Sequence, residues 1–123
     1  MTTYVREAEF VPADYTANET KVLFPLEEGE VVLAAFCRVT EAFNGTGAAV
    51  DLGDATDTDG WGTTATILPA ATGLKRMAGA YIPGRDHAIA ANSQKVQVAF
   101  TAGTGTRTTG KCRFAFIIGR VRI

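Results

Sequence analysis

Four aspartates fall close together at Asp51, Asp54, Asp57 and Asp59, with Gly60 and Trp61 directly after them. Carboxylates at this density suit calcium, which takes about six to eight oxygens from side chains and loop carbonyls. The spacing is not that of an EF-hand loop and no glutamate closes it, which leaves Asp54, Asp57 and Asp59 as weak calcium candidates. Aspartates also form turns by accepting bonds from nearby backbone N–H groups, and that role needs no metal. The turn reading is preferred, and no metal or cofactor is expected. A glycosidase pair would need two carboxylates held apart in a cleft lined with sugar-stacking aromatics. Here Trp61 stands almost alone.

Other catalytic chemistry is thinner. A nucleophile needs an activating base beside it, and the chain has one serine, Ser93, and one histidine, His87. Ser93 lies in a turn-like stretch without an elbow motif. An attacking cysteine belongs in an exposed, electropositive place, whereas Cys37 and Cys112 both lie within apolar strand patterns. They are expected to be reduced core thiols. Two isolated cysteines and one histidine fall short of a tetrahedral zinc site. No enzyme is expected.

The elements that would position these residues are strands. Residues 30–62 read EVVLAAFCRVTEAFNGTGAAVDLGDATDTDGWG: a long apolar run, an Asn44-Gly45 turn, a short second strand, then the acidic loop. Asn-Gly between β-prone runs predicts a hairpin, because both residues tolerate positive φ. Val31, Leu33, Ala35, Cys37 and Val39 alternate with Val32, Ala34, Phe36 and Arg38, and the first set is expected inside. Residues 1–11 read as a first strand, or as part of an N-terminal arm covering 1–20. Lys21 to Pro25 is an edge or terminal strand, since proline cannot donate to a ladder. Further strands are expected at 64–68, 74–82 and 87–91. Val96, Val98 and Phe100 alternate with polar or small residues, and Cys112, Phe114, Phe116 and Ile118 share a face. Gly119 marks a β-bulge. The Gly/Thr stretch 101–110 predicts a flexible tip carrying Arg107. These strands and turns predict one all-β domain over 1–123, a single antiparallel β-sandwich, jelly-roll-like or a related Greek key.

The formal net charge is −1, but residues 1–60 hold twelve acids and three bases, and residues 61–123 hold nine bases and one acid, Asp86. Acidic and basic strands can interleave and cancel, or leave two electrically distinct faces suited to head-to-tail contacts. Basic residues are not clustered with stacking aromatics, so nucleic acid is not an expected partner. No apolar run approaches the roughly 20 residues that span a membrane. The N-terminal MTTYVREAEF lacks the basic lead and apolar core of a secretory signal.

Residues 25–62 resemble tailed-bacteriophage capsid decoration (cement, head-stabilising) proteins. The likeness lies in the turn from Pro25 to Gly29, the long strand ending VTEAFNGTG, and the strand running into LGDATDTDGWG; the late strand after the Thr/Gly loop, 101–118, also fits. The resemblance implies a β-sandwich, homotrimeric, made in the host cytoplasm, that sits on the capsid exterior and braces a shell of major capsid protein without catalysis. Interface candidates are Tyr4 and Phe10 on the N-terminal segment, Val32 and Phe36 on the outward parity of the long strand, and Arg107. The rival reading is a carbohydrate- or receptor-binding sandwich of a tail or head fibre, with the Asp54–Trp61 loop as its site.

Overall fold

A computed structural model describes residues 2–27, 29–83 and 94–120. Among them are seven strands: β1 (Thr2–Phe10), β2 (Glu19–Leu26), β3 (Glu30–Glu41), β4 (Ala49–Gly53), β5 (Gly73–Arg76), β6 (Gln94–Thr101) and β7 (Lys111–Arg120). One helical turn, α1 (Thr64–Ile67), lies between β4 and β5. The odd-numbered strands form a sheet in the order β1-β7-β3-β5, and the even-numbered strands form the facing sheet in the order β2-β6-β4. All pairings are antiparallel. Consecutive described strands therefore never pair; each connection carries the chain to the other sheet.

Side-chain alternation builds the inner faces. Cys112, Phe114, Phe116 and Ile118 of β7 and Val96, Val98 and Phe100 of β6 are all buried, as their spacing predicts. On β3 the register shifts between Val32 and Ala34, leaving Leu33 as the extra residue of a bulge. Val32, Ala35, Cys37 and Val39 consequently face the core, while Leu33 is only half-buried. The parity that places Leu33 inside and Val32 outside is thus corrected: a one-residue bulge exchanges the two faces. The slip expected at Gly119 is not there. Pairing runs without interruption through Gly119 to Arg120 on both neighbours, and the bulge sits on β3 opposite Ile117 and Ile118. Pro25 lies on β2, an edge strand, where a missing N–H costs no ladder bond.

Three local expectations yield to tertiary structure. Asn44-Gly45 is not a hairpin, because β3 and β4 belong to different sheets. Asn44 instead accepts bonds from the N–H groups of Thr108 (2.8 Å) and Thr109 (3.0 Å), and Gly45 takes φ +101° as the chain crosses over. Residues 64–67 form a helical turn rather than a strand, because the Asp51 carboxylate captures the N–H and hydroxyl of Thr64. The strand expected at 74–82 is the shorter β5, Gly73–Arg76, which takes in only residues 74–76 of that segment, and 87–91 lies outside the described residues. The 101–110 stretch is tied down rather than loose. Thr46 and Thr104 exchange backbone bonds, Arg107 donates to Gly103 and Gly105 carbonyls, and Tyr15 donates to Gly110. Gly103 must be glycine here, since a Cβ would lie 2.4 Å from the Thr46 carbonyl oxygen. Residues 2–10 are likewise no arm: β1 pairs along its length with β7 and delivers Phe10, fully buried, to the core.

Phe116 sits at the centre of the inter-sheet packing. Phe24 of the facing sheet meets it edge-on at 5.3 Å and 86°, and Trp61 packs against it at 5.5 Å. Phe100 links Phe10 and Phe43 at 5.9 and 5.8 Å. Phe116→Ala would open a cavity lined by the rings of Phe24 and Trp61, and should lower unfolding free energy by about 3–5 kcal/mol in a denaturant titration. A loss below about 1 kcal/mol would contradict this central placement.

Candidate functional site

The acidic loop is closed at its neck by a bridge in which Leu52 and Gly62 exchange backbone bonds of 2.8 and 2.9 Å. Inside it, Asp54 is 5% exposed, and its Oδ1 accepts from the N–H groups of Thr56 and Asp57 and from the Tyr81 hydroxyl at 2.9 Å. Asp51 holds Thr64, and the Asp57 carboxylate receives the Asp59 N–H. The hydrogen bond between the Asp57 and Asp59 carboxyls, followed by partial burial, raises Asp59 above the ordinary carboxylate value. Turn formation is therefore what these aspartates do. Among the described residues, no group of three or more His, Cys, Asp or Glu is placed to hold a metal. Trp61 is 2% exposed and packs edge-on to Tyr81 and Phe116, so its ring offers no face for a sugar.

Cys37 and Cys112 are free, buried thiols on neighbouring strands. A hydrogen bond between them, reinforced by burial, holds Cys112 far above the ordinary thiol range. A thiol so placed is core, not nucleophile. His87 and Ser93 lie outside the described residues.

The interface candidates divide. Phe10 (0% exposed) and Val32 (1%) are inside the subunit, which corrects their assignment to its surface. Phe10 ends an edge strand whose even-numbered residues point inward, and the Leu33 bulge turns Val32 in. Arg107 is engaged with its own loop carbonyls. Tyr4 is half-buried, with its hydroxyl donating to Glu30 Oε2. Phe36 alone is half-buried on the outward face of β3 with its ring against a surface depression.

Tyr4 belongs to a polar cluster that strand patterns alone do not reveal. Glu30 is 1% exposed and makes a two-pronged ion pair with Arg6, both N–O distances being 3.0 Å. Its Oε1 also accepts the Glu27 N–H at 2.7 Å, and Arg120 Nη2 lies 3.7 Å from Oε2. Arg6 reaches the facing sheet as well, donating to the Pro25 carbonyl at 2.8 Å and lying 5.6 Å from the Phe24 ring centroid. No sequence signal marked this cluster: Glu30 shares the parity of Val32, which reads as outward until the bulge at Leu33 turns both inward.

The outer face of the four-stranded sheet carries exposed apolar and charged side chains together. Residues directly opposite one another share a face, and the registers set out rows across it. One row is Val5, Ile117, Ala34; the next is Glu7, Ala115, Phe36, Arg76; the third is Glu9, Arg113, Arg38, Leu74. A shallow depression of about 220 Å³ lies among Glu7, Phe36, Arg38, Leu74, Arg113 and Ala115. Leu74, in its lining, is 62% exposed, and Val5, in the neighbouring row, 59%.

No family model and no curated protein matches the chain. Among solved structures, it is similar to a chain of the cyanophage Pam1 capsid asymmetric unit. That likeness has a TM-score of 0.68 at 16% identity, covering 98% of this chain and 85% of the other. At this identity the likeness is one of fold.

Two outcomes follow. Arg6→Ala removes the two-pronged partner of a carboxylate with no exposed surface, leaving it the Tyr4 hydroxyl, the Glu27 N–H and the more distant Arg120, and should cost about 3–5 kcal/mol. Glu30→Ala should cost less, because the Arg6 side chain, already 27% exposed, can take up water; equal losses in paired denaturant titrations would contradict this asymmetry. Millimolar calcium should leave the melting temperature unchanged, while Asp54→Ala lowers it with or without the ion. A specific site would add about 2.7 kcal/mol at a hundredfold excess over its dissociation constant, an upward shift easily seen.

Proposed function

We propose that this protein is a virion structural component that binds the outer surface of a phage capsid and stabilises the shell without catalysis. The observation that carries this reading is the fold likeness, over 98% of the chain, to a chain of a phage capsid asymmetric unit. The decoration role also rests on the resemblance of residues 25–62 to cement proteins. The assignment of its polar side chains agrees with a non-catalytic role: the acidic loop binds itself, Glu30 and Arg6 bind each other, and both thiols are core. A jelly-roll class of sandwich is supported by the strand order, with odd and even strands segregated into two sheets by crossing connections. The functional unit in this reading is a homotrimer seated on major capsid protein, made in the host cytoplasm and carried on the virion exterior.

Exposed ion pairs are worth about 0–1 kcal/mol each, so they cannot hold a subunit on a shell. Apolar burial supplies the affinity, and charge sets orientation and association rate. A receptor-binding tip would need an accessible ring or ion site in the acidic loop, and the burial of Trp61 weighs against that alternative.

The test is to mix purified protein with capsids lacking it, then measure occupancy and shell melting. Saturable binding with a higher shell melting temperature is expected. No binding, or binding without a gain in shell stability, would refute the decoration role.

A further inference from the structure

We infer that the outer face of the four-stranded sheet is where copies of this chain meet one another, the acidic β1 margin of one copy lying on the basic β3/β5 margin of the next. This deepens the oligomer in the proposed function by assigning its surface, and rests on that reading only for the number of copies in the ring.

Three observations carry it. The face has an apolar middle, with Val5, Ile117, Ala34, Ala115, Phe36 and Leu74 running across all four strands. Two of these, Val5 and Leu74, are more than half exposed, and Phe36 lines the depression. An apolar stripe with a charged rim is the anatomy of a protein contact rather than of a solvated sheet face.

Second, the rim charge is divided by strand. Glu7 and Glu9 stand on β1, while Arg38 and Arg76 stand on β3 and β5 at the far side of the same face. Glu9 has an exposed partner in Arg113 at 3.5 Å. Glu7, Arg38 and Arg76 form no ion pair among the described residues. They are available to another molecule, and the surface is complementary to itself when acid margin meets basic margin.

Third, the two margins belong to opposite edges of the sheet, β1 and β5, separated by three inter-strand steps, or about 14 Å. A contact joining one edge region to the other is head-to-tail, and such contacts generate rings when the rotation closes. Another kind of protein could also cover an apolar stripe. The division of charge on this one face favours a second copy, because the chain itself supplies both halves of the match.

The experiment uses the whole chain, with Glu7→Arg, Arg76→Glu, the double variant carrying both, and Phe36→Asp. Each is checked for an unchanged circular dichroism spectrum, then sedimented over a micromolar to high-micromolar range. Wild type should associate, each single charge reversal should weaken association roughly tenfold or more by placing like charges together, and Phe36→Asp should abolish it. The double variant restores an opposite-sign pair and should recover association. Three results overturn the assignment: a monomeric wild type, single reversals that associate normally, or a double variant no better than the singles. Shell binding is measured separately on the same samples. Variants that associate normally while wild type still binds shells would defeat the surface assignment and leave the capsid role intact. Loss of shell binding by a normally associating wild type would do the reverse.

Discussion

The fold depends on one constraint: two inner sheet faces must be sealed against each other by residues far apart in sequence. Because odd strands lie in one sheet and even strands in the other, neighbouring strands in the chain cannot stabilise each other first. Ladder pairs join β1 to β7, β3 to β7 and β2 to β6, each across a long stretch of chain. Loop-closure entropy is met before these contacts form, so such a topology belongs among the slower-folding classes. The rings of Phe24, Phe116 and Trp61 make that non-local closure worthwhile, since each contributes a large apolar area and they meet in the edge-on geometry that aromatic pairs favour.

Loops that cross between sheets must find their own partners. Asn44 does the work of a strand by binding the 101–110 loop through both oxygen and nitrogen, and Glu41 accepts the Gly110 N–H at 2.9 Å. Asp54 organises the acidic loop from inside. At the other end of the sandwich, Glu30 and Arg6 join β1, β3 and the β2 carbonyl of Pro25 into one polar cluster. A buried pair of this kind adds little net stability over apolar residues of the same size, but breaking it is costly. Its effect is to hold β1 in one register, since a one-residue slip would withdraw Tyr4 and Arg6 from Glu30 together.

The division of labour on the molecule follows from this. Most of its distinctive polar side chains are turned toward its own backbone, and what remains at the surface is a broad sheet face, apolar in the middle and charged at the margins. The proposed virion role would draw on that face, because a particle component works through the area it buries against its neighbours.

The all-β class and two of the principal core strands were legible from the amino-acid order, because a two-residue period in Val96–Phe100 and Cys112–Ile118 is a local property that burial on one face demands. Turn formation by Asp54 and Asp57 was also local, each carboxylate needing only the N–H two or three residues ahead, whereas Asp51 reaches Thr64 thirteen residues on. Which residues pair was not local. The Asn44-Gly45 signal is compatible with any sharp change of direction, and only the competition between sheets decided that β4 leaves β3. The parity of β3 was hidden for the same reason: Val31, Val32, Leu33 and Ala34 are all apolar, so nothing in their order marks Leu33 as the bulge until Ile117 and Ile118 stand opposite. Glu30 and Arg6, distant in the chain, carry no pattern that joins them. Their pairing, like the rows across the outer face, exists only once β7 has brought β1 and β3 to its two sides.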